Sequence, residues 1–65
     1  MNYEAWIEYR DRGWTHRLHV TFQAVAGDME DAGFQAGLTF AKNMAEHELS
    51  FDSAQIASIR SEIET

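Results

Sequence analysis

The chain has 65 residues, 45% of them apolar, no cysteine and a formal net charge of −6. That is one domain near the lower size limit for burying a core unaided, with no disulfide or thiolate metal site to staple it. The charge is uneven. Arg10, Arg12 and Arg17 cancel Glu4, Glu8 and Asp11 before residue 28, and beyond it Lys42 and Arg60 face eight acids. Such a balance argues against sequence-independent nucleic-acid binding, which needs clustered cations. No apolar run approaches the ~18 residues of a membrane span, and the N-terminus lacks the basic and apolar regions of a signal peptide. A cytoplasmic location is expected.

Residues 2–10 alternate, with Tyr3, Ala5, Ile7 and Tyr9 on one side and Glu4, Trp6 and Glu8 on the other. This period of two predicts a half-buried strand. From 14 to about 26 the pattern repeats: His16, Leu18, Val20 and Phe22 alternate with Thr15, Arg17, His19 and Thr21. Arg10 to Gly13 between them reads as a four-residue hairpin loop ending on glycine. That loop predicts Tyr9 opposite Trp14, Ile7 opposite His16 and Trp6 opposite Arg17, which sets a guanidinium over an indole.

Asp28 is a good helix N-cap, and Glu30 and Asp31 suit the first turn, where the helix dipole favours acids. A helix over about 28–49 is expected. Phe34, Leu38, Ala41, Ala45 and Leu49 form its central apolar stripe, which Gly33, Gly37, Met29, Ala36, Phe40 and Met44 widen. The two glycines cost helix propensity, and the expected return is a close approach of the helix to its own sheet.

Residues 55–64 read two ways. Asp52 and Gln55 would cap a helix, but alternation and three β-branched Ile favour a strand. A strand also completes an otherwise marginal two-stranded sheet, and a right-handed crossover would place it beside the first strand. The expected fold is α+β, a ββαβ chain whose three-stranded antiparallel sheet has order 2-1-3 and one helix on its Tyr3/Ala5/Ile7/Leu18/Val20/Phe22 face. The alternative is ββαα.

Val20 to Ala32, V-T-F-Q-A-V-A-G-D-M-E-D-A, with the close Q-I-A-S-I-R-S-E-I-E, resembles short ββαβ proteins encoded by bacteriophages. Such proteins are mostly of unassigned function, and the resemblance implies a role that for some of them is inhibition of host or defence machinery.

Candidate sites follow from the expected faces. His16 and His19 point to opposite sides of a strand, and the string Glu46-His47-Glu48 diverges around a helix, so neither holds a metal. No serine sits in a nucleophile motif, and no glycine-rich loop could cradle phosphate. No catalytic residue, metal or cofactor is expected. The strongest candidate is the sheet face away from the helix, where Trp6 stands with Arg17 and His19 on one side and Ile56 and Arg60 on the other. Trp and Arg are the types that anchor protein interfaces. A second candidate is an acidic surface of Asp28, Glu30, Asp31, Glu46 and Glu48. Met29, Ala36 and Phe40 form a third possible contact. The leading expectation is a protein-binding module with an unidentified partner. The alternative is a homodimeric accessory protein, and the third is a weak single-stranded nucleic-acid binder.

Overall fold

The computed structural model describes residues 1–62; the expected strand positions Ile63 and Glu64 lie outside the described residues. Two long strands open the chain, β1 (Asn2–Asp11) and β2 (Trp14–Gln23), joined by only two residues. Arg12 and Gly13 both have positive φ, 52° and 84°. Two such residues in succession make the mirror-image type I′ turn, whose twist matches that of the strands it joins. The loop is therefore Arg12-Gly13 rather than the four residues 10–13, and the pairing moves by two. Tyr9 lies opposite His16, Ile7 opposite Leu18, Ala5 opposite Val20, Tyr3 opposite Phe22 and Trp6 opposite His19. A shift of two keeps every side chain on its expected face while changing its partner. Like now meets like: the Tyr3 and Phe22 rings stack at 5.9 Å, and those of Tyr9 and His16 at 5.0 Å.

Asp28 caps helix α1 (Met29–Glu46), its Oδ1 accepting from the Asp31 amide at 2.9 Å. The entry is fastened twice more. Asp31 Oδ2 accepts from the Val25 amide at 2.8 Å, and the Tyr3 hydroxyl accepts from the Gly27 amide at 3.3 Å. These bonds fix the rotation of the helix as well as its start. The stripe turned onto the sheet is Ala32, Ala36, Phe40 and Met44, all buried. The expected central stripe is exposed instead, Phe34 at 63%, Leu38 at 51% and Leu49 at 50%. Two alanines let the helix sit close to the sheet, and Phe40 fills the remaining space between the rings of Tyr9 and Phe51. Gly33 and Gly37 play no part in this approach, since a Cβ on either would meet nothing within 4 Å.

The helix stops three residues short of position 49. The Glu48 amide bonds to the Ala45 carbonyl and the Leu49 amide to that of Met44, with Glu48 at φ 54°. This is a Schellman ending in which a glutamate holds the left-handed position usually given to glycine.

The last segment is a strand, β3 (Ser53–Ser61), antiparallel to β1. Asp52 does not cap a helix because its carboxylate accepts from the Arg12 amide at 3.0 Å, while its own amide bonds to the Arg10 carbonyl. The segment's entry is thus tied to the β1–β2 turn. The sheet order is β2-β1-β3 with the helix on one face, an α+β ββαβ fold. Tyr3, Ala5, Ile7 and Val20 are buried on the helix side, and Leu18, Phe22 and Ile59 pack partly buried around them. The helix lies chiefly over β2. None of the described helices is long and apolar enough to cross a membrane.

Candidate protein-binding surface

The face of the sheet away from the helix is built in rows by the two registers. Glu4 lies between Thr21 and Arg60, Trp6 between His19 and Ser58, and Glu8 between Arg17 and Gln55. Period-two alternation on the central strand sets Trp6 in the middle of this face, where it remains 44% exposed. Its ring contact is with His19, centroids 4.9 Å apart and tilted by 54°. The expected stacking of Arg17 on the indole is replaced by an ion pair to Glu8 at 3.5 Å, because the two-residue turn moves Arg17 one row along.

Glu4 is the electrostatic centre of the face. One carboxylate oxygen accepts from the Arg60 guanidinium, and the other faces His19 Nε2 at 3.3 Å. The hydrogen bond from Arg60 is the main cause holding the Glu4 carboxyl below its ordinary value of 4.5. Partial desolvation opposes it, and the charge of Arg60 and the contact with His19 add smaller lowering effects. Trp6 is therefore bordered by paired charges, Glu4 with Arg60 and Glu8 with Arg17, and by the His19 ring. Glu4, Trp6, Ser58 and Arg60 line a shallow depression beside the indole.

One expected member of this cluster is elsewhere. The β1–β3 register slips between Trp6 and Ile7, so that Ser58 pairs with Trp6 but Ile56 with Ile7. Ala57 is the extra residue of a β-bulge, and an extra residue in a period-two ladder reverses the face of everything beyond it. Ile56 therefore belongs to the helix side of the sheet, 41% exposed, and takes no part in the Trp6 surface. Trp6, Arg17, His19 and Arg60 remain together.

The expected acidic surface divides. Asp28, Glu30 and Asp31 lie at the start of α1, with Glu46 and Glu48 at its other end, roughly 25 Å away for a helix of 18 residues. Asp28 and Asp31 are also occupied with backbone amides of the helix entry. Of the third possible contact, Ala36 and Phe40 are buried and only Met29 is exposed, because the entry bonds turn those two onto the sheet. Among the described residues, no group of three acids or imidazoles converges on one point.

Two features of the surface are not evident from the chain alone, one in the Trp6 face and one on the helix. Glu4 is apparent from the alternation only as a partner of His19, and its double engagement depends on the register of β3. The exposed Phe34/Leu38 ridge is masked by an apolar sector too wide to show which half meets the sheet. No family model, curated protein or solved structure matches the chain.

Proposed function

We propose that the chain is a non-catalytic protein-binding module whose contact surface is the open sheet face centred on Trp6. The carrying observation is the half-exposed indole in the middle of the central strand, bordered by paired charges on a face that the single helix does not cover. An indole inside a polar rim matches the anatomy of an interface hot spot, in which one large side chain supplies most of the energy and its surround excludes water. The same pairing weighs against a nucleic-acid reading. Two of the three arginines on the face, Arg17 and Arg60, are matched to carboxylates, which leaves little net charge to attract phosphate. The resemblance to phage-encoded ββαβ proteins directs the search for a partner to host and defence machinery.

The test is a tagged pull-down from bacterial lysate, wild type beside Trp6→Ala, followed by titration of the captured protein. A hot-spot tryptophan is worth at least about 2 kcal/mol, so the variant should bind about 30-fold more weakly. Equal affinity for both would refute this face as the contact. A lysate that yields only the bait would count against a partner in that host.

A further inference from the structure

Helix α1 carries a second apolar surface that its own sheet leaves unused. Phe34, Leu38, Ala41 and Ala45 lie ~150° around the helix from the buried Ala32/Ala36/Phe40/Met44 stripe, and all four are exposed. Between the two stripes run Gly33 and Gly37, where an added Cβ would meet nothing within 4 Å. Glycine inside a helix lowers its propensity, and no contact among the described residues offsets that loss. The helix lies chiefly over β2, which leaves the helix-side face of β3 open at Ala54 and Ile56 and only half-covered at Ile59. A right-handed crossover from β2 to β3 turns the glycine flank toward this open strand. The result is a ledge with a glycine wall and an isoleucine floor, beside a projecting ridge of Phe34 and Leu38.

We propose that this ledge is a self-docking surface, occupied in solution by α1 of a second copy of the chain. Phe34 and Leu38 of each copy then cover Ile56 and Ile59 of the other, and the two helices meet at Gly33 and Gly37. Four observations select a second copy over a foreign partner. Ridge and ledge lie side by side on one chain, so a single two-fold operation fills both at once, the isologous arrangement of most dimers. Residues 32–41 contain no charged side chain, so a net charge of −6 per copy lies outside the contact and does not oppose it. A stable dimer needs about 800 Å² from each partner. That is a sixth of the 4787 Å² this chain exposes, within reach of a helix flank and a strand face. The core consists of only eight buried apolar residues among the described ones and has no staple, a size at which oligomerisation is a common support.

The experiment is sedimentation equilibrium over a hundredfold concentration range, on wild type, Leu38→Glu, Gly37→Leu and Trp6→Ala. Wild type should give twice the 7.5 kDa chain mass. Leu38→Glu and Gly37→Leu should each raise the dimer dissociation constant at least about 30-fold. Both positions are open in the single chain, so their circular dichroism should match wild type; Leu38→Glu also gains Lys42 as an i,i+4 partner. Trp6→Ala should stay dimeric. A monomeric wild type, dimeric Leu38→Glu and Gly37→Leu, or dissociation by Trp6→Ala alone would each overturn the proposal. The result is independent of the pull-down: a dimer that captures nothing removes the binding module and keeps this surface, and a monomer that captures a protein does the reverse.

Discussion

Two phenylalanines six positions apart on α1 provide the sharpest test of how the helix is seated. Phe40 is 4% exposed, with the rings of Tyr9 at 5.6 Å and Phe51 at 5.1 Å, whereas Phe34 is 63% exposed. Truncating a buried Phe to Ala costs about 3–5 kcal/mol. A chain of this length holds only about 3–10 kcal/mol in total, so that variant would leave little folded protein to measure. Leucine is the better probe, since it retains part of the apolar side chain and should cost about 1–1.5 kcal/mol, well below the alanine truncation. With a urea m-value of about 1 kcal/mol/M for so small a domain, Phe40→Leu should lower the unfolding midpoint by about 1 M. Phe34→Leu at the exposed position should shift it by less than about 0.5 M, in line with ordinary surface changes. Midpoints should be read at two protein concentrations a hundredfold apart. Association would make the Phe34→Leu effect concentration-dependent, while the Phe40→Leu cost persists at the dilute limit. A dilute-limit midpoint that falls as far for Phe34→Leu as for Phe40→Leu would refute the seating of the helix on its Ala32/Ala36/Phe40/Met44 stripe.

Two further outcomes are expected. The Glu4 carboxyl is held below its ordinary 4.5 mainly by Arg60, so carboxyl NMR titration should show its pKa rise in Arg60→Ala and rise less in His19→Ala. A depressed carboxylate stabilises the fold fully above its unfolded pKa, and that contribution fades as pH falls through the folded one. Wild type should thus lose stability more steeply than Arg60→Ala on acidification below about pH 4.5; identical acid curves would disconnect the pair from folding. At the helix end, Glu48→Gly relieves a left-handed residue worth about 1–2 kcal/mol but adds unfolded-state freedom worth up to about 1. A net gain of about 0.5–1 kcal/mol in urea unfolding is expected, and a loss would show that the Glu48 side chain has a role of its own.

How much of the molecule is legible in the chain depends on which interaction decides each feature. The strands and their faces are legible because alternation is a property of each segment alone. The register is not, because it depends on Arg12 adopting a left-handed conformation that favours Asn or Gly, with no local sign that arginine would do so. The strand character of 53–61 is legible from its Ile spacing and from the need for a third strand. The bulge at Ala57 is not, since nothing in Q-I-A-S-I distinguishes a regular ladder from one with an extra residue. Ile56 is misplaced for that reason alone. Trp6, His19 and Arg60 share a face because they lie on the near side of the bulge or on strands without one. The helix was ambiguous for a different reason. Apolar residues occupy more than half its circumference, so the tertiary bonds of Asp31 and Tyr3 at its entry, not the pattern, choose the side that is buried.

The central place of β1 in the sheet sets the order in which the fold can assemble. Its partner on one side, β2, follows after two residues, and such a hairpin closes in about 1–10 μs. Its partner on the other side pairs Tyr3 with Ser61, nearly the full length of the chain away. Closing so long a loop is entropically costly and is rewarded only once the ladder forms, which slows folding in proteins rich in distant contacts. During synthesis the first strand therefore waits, one edge unpaired, until β3 has been made. For that interval its free amides and carbonyls form a ready template for another strand. The time between the hairpin and the arrival of β3 is when a newly made chain is most open to mispairing.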